Sequence, residues 1–161
     1  MTVVSDTGPL IALAKANQLR LLEQLFGQIH VPPAVRRGLL AKSGPEAPRL
    51  DDALAHFIAV APVAQLPPEV EVATSGLDAG EQEAVVLAYE RKTLLVIDDF
   101  LGRVSARRLG LSITGIVGLL IRAKEAALIP AVCPLLGEIR RQGYWLADQL
   151  LDAAAKLAGE D

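Results

Sequence analysis

Short, almost wholly apolar runs alternate along the chain with longer stretches in which apolar residues recur at helical spacing. Such runs are typical of strands that are buried on both faces of a parallel sheet. The predicted strands are residues 2–5, 29–31, 57–63, 93–97 and 112–114. Because helical stretches separate these strands, the pattern predicts an α/β fold with a mainly parallel sheet covered on both faces.

Glycine and proline punctuate the helical stretches and mark their ends. Two short helices, around residues 10–14 and 21–25, are expected before Gly27. Further helices are predicted at residues 34–40, 48–55, 79–91, 102–109, 116–127, 132–141 and 147–157. Residues 67–75 open with two prolines and are predicted to form a surface loop. No repeat or linker is visible, so residues 1–161 are expected to form a single domain.

Composition narrows the class of protein. Hydrophobic residues make up 52% of the chain and charged residues 22%, which argues against disorder. One cysteine excludes an internal disulfide and a cysteine-based zinc cage. There is no signal-peptide pattern, and the longest apolar runs fall far short of the roughly 20 residues that a spanning helix needs. We therefore expect a cytoplasmic protein without a membrane partner.

Acidic residues stand where the predicted strands end, and ligands of parallel sheets bind beyond these ends. Asp6 follows the first strand, and Asp98 and Asp99 follow the fourth. Glu81 and Glu83 lie in the first turns of the helix before that fourth strand; Glu83 alone is most simply a solvated charge. Carboxylate oxygens suit Mg²⁺ and Mn²⁺. The joint pattern predicts a site for a divalent metal.

Each acid also has a structural interpretation. Asp6 could cap a helix or start a turn. Asp78 with Glu81 three residues later matches a capping box. One of the pair Asp98 and Asp99 is expected to cap the helix that follows. These alternatives stay open for single residues, and the shared placement at strand ends favours a functional cluster.

Other phosphate-handling classes do not fit the sequence. No Gly-Lys-Ser/Thr loop of the Walker type is present, and no Gly-x-Gly-x-x-Gly. A haloacid-type phosphatase would need an aspartate at the position of Gly8. The net charge of −3 argues against a strong non-specific polyanion binder, but a nuclease with carboxylate metal ligands is compatible with it.

Several short motifs follow one another along the chain, at residues 4–14, 31–35, 77–84, 87–88, 97–99, 102–103 and 114–120. In order and spacing, they resemble the motifs of the PIN-domain nucleases, in particular an uncharacterised prokaryotic branch often found beside small antitoxin-like genes. The resemblance covers nearly the whole chain. It implies a three-layer α/β/α sandwich with a mainly parallel central sheet of about five strands, and cleavage of single-stranded RNA with Mg²⁺ or Mn²⁺. It also implies homodimers and, for toxin members, an antitoxin partner.

The resemblance also implies roles for individual residues. Asp6, Glu81 and Asp99 match the family's catalytic, metal-binding acids. Asp98 is an additional candidate metal ligand. Thr7 is expected to supply a hydroxyl that orients Asp6.

Two departures from the family pattern affect the expected activity. Gly38 stands on the helix after residues 31–35, where the family usually has an acid, commonly Glu. Gly8 replaces the usual Ser or Asn. We therefore weigh two functions. The first is a metal-dependent endoribonuclease, which the resemblance extends to the toxin of a toxin–antitoxin pair. The second is a degenerate PIN domain that binds RNA or a protein partner without cleavage. A purely structural interaction module is a third, weaker alternative.

Basic and aromatic residues suggest how a nucleic acid would be contacted. Arg103 and Arg107 are four residues apart on one helix, so they share a face and are candidates for contacting phosphate. Arg103 is the stronger candidate because it lies within one turn of Asp99. With only three Phe, two Tyr and one Trp, the sequence predicts no base-stacking platform. Tyr144 and Trp145 are expected to anchor the last helix or contribute to a dimer contact.

Overall fold

The computed structural model describes residues 2–161, and its centre is a sheet of five parallel strands. The strand order is β3-β2-β1-β4-β5, so β1 lies in the middle of the sheet with β2 and β4 beside it. Helices connect the strands, and the predicted α/β fold with a parallel five-stranded sheet is confirmed. The strands are β1 (Val3–Ser5), β2 (Ile29–Val31), β3 (Ile58–Val60), β4 (Leu94–Val96) and β5 (Ile113–Thr114).

Ten helices surround the sheet in the described part of the chain. They are α1 (Thr7–Lys15), α2 (Arg20–Phe26), α3 (Pro33–Leu40), α4 (Glu46–His56), α5 (Pro68–Ala73), α6 (Ala79–Arg91), α7 (Phe100–Arg108), α8 (Ile116–Glu125), α9 (Cys133–Arg141) and α10 (Asp148–Ala158). Among the described residues 2–161, no helix has both the length and the apolar character needed to cross a membrane.

The central strands are buried, as their apolar sequences predict. Val3, Val4, Leu95 and Val96 have no exposed surface. In the sheet register, Ser5 of β1 stands beside Val96 of β4. Because parallel strands share a direction, the residues that follow β1 and β4 emerge at the same edge of the sheet.

One element differs in kind from the sequence prediction. Residues 67–75 contain the short helix α5 and are not a plain loop. Proline is tolerated in the first turn of a helix, where its missing amide has no intrahelical partner, and Pro68 takes this position. Val70 is fully buried, and the hydroxyl of Thr74 donates to the carbonyl of Val70 at 2.7 Å. Packing and this end contact stabilise a helix that the two prolines obscure in the sequence.

Helices α9 and α10 are held together by Glu160. Its carboxylate accepts hydrogen bonds from the backbone amides of Val132 and Cys133, at 2.8 and 2.9 Å, and from the ammonium of Lys124 at 2.8 Å. These contacts lower the pKa of Glu160 to about 2, with the bond to Lys124 as the largest cause. Glu160 thereby ties the end of α10 to the start of α9, and the segment that joins these two helices reaches the candidate site through Tyr144 and Trp145.

Candidate active site

The acids that follow β1 and β4 meet at one cavity. The amide of Asp6 donates to the carbonyl of Val96 at 2.9 Å, which extends the pairing of the two strands to the first acid. The cavity has a volume of about 510 Å³. Its acidic lining residues are Asp6, Asp78, Glu81, Asp98 and Asp99. The structure thus brings together all four predicted metal-binding residues and adds Asp78.

Asp6 is a buried carboxyl that is available to a ligand. It is only 6% exposed, and at the N-cap position of α1 its side chain makes no capping hydrogen bond. Burial raises its pKa from 3.8 to about 6, the nearby amide of Thr7 partly offsets the rise, and the charges of Asp78 and Asp99 add to it. A buried carboxylate with acidic neighbours favours binding of a proton or a cation.

Glu81 has both a structural and a potential functional role. The predicted capping box is confirmed: the amide of Glu81 donates to Asp78 Oδ1 at 2.8 Å, and the amide of Asp78 donates to Glu81 Oε2 at 3.3 Å. The second bond is long, and Glu81 Oε1 accepts no hydrogen bond from any of residues 2–161. Burial raises the pKa of Glu81, and repulsion by Asp99, Asp78 and Asp6 contributes. The capping contact therefore places Glu81 at the cavity and leaves one of its oxygens available.

Asp99 caps α7, as expected for one member of the Asp98–Asp99 pair. Its Oδ2 accepts a hydrogen bond from the amide of Gly102 at 2.8 Å, while its Oδ1 accepts none within the part of the chain that the structure describes. Asp99 can therefore cap the helix with one oxygen and offer the other to the cavity.

Asp98 is engaged through both oxygens. Oδ1 accepts from the amide of Ile116 at 2.9 Å, at the start of α8, and Oδ2 accepts from the hydroxyl of Tyr144 at 2.8 Å. Position 115 must be glycine for this contact, because a Cβ there would overlap Asp98 Oδ1. These bonds make Asp98 a structural link between β4, α8 and the segment before α10.

Thr7 lies between two glycines. A Cβ built on Gly38 would stand 3.5 Å from the Thr7 side chain, and one built on Gly80 would stand 3.7 Å from its hydroxyl oxygen. No hydrogen bond joins the Thr7 hydroxyl to Asp6, although both residues line the cavity. The position where the family usually carries an acid therefore faces the residue next to Asp6, and Gly38 leaves it without a side chain.

Glu83 is not the solvated charge that the sequence suggests. Its Oε1 accepts a hydrogen bond from the amide of Ala34 at 3.0 Å, in the first turn of α3. Arg37 lies 3.9 Å from its other oxygen. Glu83 therefore ties α6 to α3 and does not line the acidic cavity.

The two candidate arginines occupy different places. Arg103 donates to the carbonyl of Ile97 at 2.9 Å and lines a neighbouring cavity that shares Asp98 with the acidic one. Arg107 is exposed and lines neither cavity. Only Arg103 is thus placed next to the acids, with part of its guanidinium already bound to the end of the sheet.

Tyr144 and Trp145 behave differently from each other. Tyr144 is half-buried, and its hydroxyl bonds to Asp98, so it acts as an anchor. Trp145 is 82% exposed, so the prediction that it anchors the last helix is wrong, while the alternative of a dimer contact stays a prediction. The hydroxyl of Tyr144 also lies 3.1 Å from the place of a Cβ on Gly8. Glycine at position 8 therefore leaves room for a hydroxyl supplied from much later in the chain.

We predict that Gly8→Ser weakens the fold through Tyr144. The added Cβ would push the Tyr144 hydroxyl from Asp98, and loss of a hydrogen bond to a charged group costs about 1–3 kcal/mol. Urea unfolding should show this loss for Gly8→Ser and for Tyr144→Phe separately. The double variant should lose clearly less free energy of unfolding than the two single variants together, because both changes break the same hydrogen bond.

The matched control is Gly76→Ser, since a Cβ on Gly76 meets nothing within 4 Å. Its effect on the free energy of unfolding should stay within about 0.5 kcal/mol. Strictly additive costs of Gly8→Ser and Tyr144→Phe would show that the two positions are independent.

The oxygens available at the cavity fit a hard divalent cation. Asp6 offers its carboxylate, and Glu81 and Asp99 each retain an oxygen without a hydrogen bond. Such donors suit Mg²⁺ and Mn²⁺ better than softer metals. Over residues 2–161, no three His, Cys, Asp or Glu side chains already stand in the arrangement of a metal-binding group.

Comparisons with known proteins agree with the fold and with the sequence motifs. The chain resembles a solved PilT N-terminus domain protein from the hyperthermophilic archaeon Sulfolobus solfataricus, with a TM-score of 0.56 and 21% identity. That likeness covers 76% of this chain and 93% of the other, and it concerns the fold alone. No curated protein matches the chain. The model of the DUF3368 family, described as a PIN domain, matches residues 2–160. The chain therefore belongs to the PIN-domain family, whose members are generally nucleases.

Proposed function

We propose that this protein is a metal-dependent endoribonuclease that hydrolyses phosphodiester bonds of RNA. The observation that carries the proposal is the meeting of Asp6, Glu81 and Asp99 at one cavity, beyond the carboxyl ends of β1 and β4. Parallel α/β sheets bind their ligands at these ends. Membership of a family of nucleases supports the same conclusion.

In this proposal, Asp6, Glu81 and Asp99 hold Mg²⁺ or Mn²⁺. When bound, the cation supplies activation of water and neutralisation of the charge that develops on the phosphodiester. Asp98 fixes the end of β4 through its bonds to Ile116 and Tyr144, so that its neighbour Asp99 keeps its position.

The arginines have separate roles in the same proposal. Arg103 contributes positive charge beside the acids, and its bond to Ile97 orients the guanidinium. Arg107, one turn further along α7 and exposed, is a candidate for a more distant phosphate contact.

Gly38 supports the alternative of a degenerate PIN domain that binds RNA or a protein partner without cleavage. The site lacks a side chain at this position, which faces Thr7. A cavity with fewer carboxylates would bind a cation more weakly. Nucleic-acid or protein binding could then remain after catalysis is lost.

The resemblance extends the main proposal to a toxin role, with a small antitoxin protein as partner and a homodimer as the assembled state. These features rest on the resemblance of the motifs in the sequence. Sedimentation of the purified chain would test the dimer. Relief of growth arrest by a neighbouring gene product would test the toxin and its antitoxin.

Asp99→Asn is the test of the proposed activity. Asparagine is a good N-cap, so the bond to Gly102 and the helix should be retained while the charge is lost. We expect purified wild-type protein with Mn²⁺ to cleave single-stranded RNA, and the variant to be slower by on the order of 100-fold or more. Calorimetry should show Mn²⁺ binding that the same substitution removes.

Asp152→Asn, which changes an exposed acid on α10, is the matched control and should cleave at the wild-type rate. If wild-type protein neither cleaves RNA nor binds Mn²⁺, the degenerate alternative replaces the proposal. If Asp99→Asn and wild type cleave equally, the activity belongs to another site or to a contaminant.

A further inference from the structure

Exposed apolar side chains stand at the acidic cavity. Phe100 is 73% exposed, Trp145 is 82% exposed and Leu150 is 41% exposed, and all three line the cavity that holds the carboxylates. Large apolar surfaces left in water next to a polar site are typical of a surface that contacts a ligand. For contact with a ligand, the position of the aromatic residues therefore matters more than their small number in the sequence.

The chain positions of both aromatic residues are tied to the acids. Phe100 directly follows Asp99 and is the first residue of α7. Trp145 directly follows Tyr144, whose hydroxyl is bonded to Asp98. Two separate segments of the chain thus bring an aromatic ring to the same group of carboxylates.

The chemistry of these neighbours fits an unpaired polynucleotide. Every base has a π-face that can stack on an aromatic ring, and in a duplex these faces are covered by neighbouring base pairs. A divalent cation on the carboxylates would attract the phosphate that lies between two such bases. The cavity, at about 510 Å³, is within the size range of small-ligand sites, which allows for a part of one strand.

We propose that Phe100 and Trp145 are the base-stacking residues of this site and that they select single-stranded nucleic acid. The proposal rests on the proposed function, because it places the phosphate between the bases at the carboxylates. Tyr144 positions Trp145 through its bond to Asp98.

A second copy of the chain fits this surface less well. In a two-fold symmetric interface the same surface meets itself, so two groups of carboxylates would face each other. Such like charges repel strongly when they are removed from water. A strand carrying bases and phosphates, with a cation between phosphate and carboxylates, avoids this repulsion.

The test uses the full chain and a single-stranded RNA that carries 2-aminopurine, whose fluorescence falls when the base stacks on an aromatic ring. Ca²⁺ is present to compensate the carboxylates. We expect quenching with the single strand and little with a duplex of the same sequence. Trp145→Leu and Phe100→Leu should each reduce the quenching and weaken binding by about tenfold.

Leu157→Ala is the matched control, because Leu157 is 72% exposed and does not line this cavity. Its affinity and quenching should equal those of the wild type. All three changes are at exposed positions, and circular dichroism checks that each variant is folded. The proposal would be overturned if Trp145→Leu and Phe100→Leu both kept the wild-type affinity and quenching, or if the wild type bound the duplex as tightly as the single strand.

Sedimentation tests whether a second copy of the chain, and not a nucleic acid, occupies this surface. A wild-type dimer that the leucine variants convert to monomer, with RNA binding unchanged, would assign the aromatic residues to an interface between copies and overturn the proposal. Cleavage with Mn²⁺ is measured in parallel. Cleavage without base stacking overturns this inference alone, whereas base stacking without cleavage overturns the proposed activity alone.

Discussion

Asp6→Asn should make the metal-free chain more stable at pH 8 and no more stable at pH 4. The pKa of Asp6 rises from 3.8 to about 6, chiefly by burial. The folded chain therefore binds this proton more tightly than the unfolded chain. The contribution of Asp6 to stability is greatest below pH 4 and is lost as the pH rises towards 6.

Asparagine never ionises, so the variant escapes this loss. This rise in the pKa of Asp6 corresponds to a free energy of unfolding that is about 2–3 kcal/mol higher for the variant than for the wild type above pH 7. Urea unfolding in a chelating buffer at pH 4 and pH 8 measures the difference. Asp51→Asn, at an exposed position on α4, is the control, and its effect on the free energy of unfolding should stay within about 0.5 kcal/mol. An equal effect at both pH values would show that ionisation of Asp6 is not its cause.

The same substitution should remove the proposed activity. Loss of a metal-binding carboxylate is expected to slow RNA cleavage on the order of 100-fold or more. A variant that is more stable and less active is the pattern expected where acids are brought together for function at a cost in stability. If Asp6→Asn cleaves RNA normally, Asp6 is not a ligand of the catalytic metal.

Gly38→Glu should strengthen the candidate metal site. A Cβ at position 38 meets only the Thr7 side chain, at 3.5 Å, which is an ordinary contact distance. The new carboxylate would extend from α3 towards the residue next to Asp6. We expect Mn²⁺ binding to tighten about tenfold, with a corresponding gain in RNA cleavage at limiting Mn²⁺.

Gly38→Gln is the matched control. It has the same shape and the same gain in helix propensity, about 0.5–1 kcal/mol relative to glycine, but no charge. Calorimetry with Mn²⁺ should distinguish the two variants. Equal Mn²⁺ affinity in the glutamate and glutamine variants would mean that position 38 does not reach the cation. Without metal, the glutamate variant should be the less stable of the two, because it adds an acid to a repulsive group.

The sequence predicted most of the architecture because local patterns decide it. Helix α6 begins and ends where expected, since Asp78 and Glu81 form its capping box and Lys92 ends it in a left-handed conformation. The buried strands were visible as apolar runs; β2 has the predicted bounds, and the other four strands are shorter in the structure than in the prediction. The register of β1 against β4 then brings Asp6 to the same edge of the sheet as Asp98 and Asp99.

The contacts that the sequence did not reveal join distant parts of the chain. Tyr144 follows Asp98 by 46 residues, and no local pattern indicates their hydrogen bond. The same holds for Glu83, whose partner Ala34 lies on another helix. A count of aromatic residues likewise gave no information on where Phe100 and Trp145 stand, because exposure depends on how the helices pack.

The pairing of β1 with β4 has a consequence for the order in which the protein is completed during translation. Asp6 emerges from the ribosome before Val96, whose carbonyl accepts a hydrogen bond from the Asp6 amide. Asp98 likewise emerges before Tyr144, whose hydroxyl donates to it. Contacts between such distant segments form only after the later segment has been synthesised. For the proposed nuclease, a nascent chain therefore carries its first acid without a finished site, and the messenger RNA being translated is not exposed to an active enzyme until the segment that contains Tyr144 has been synthesised.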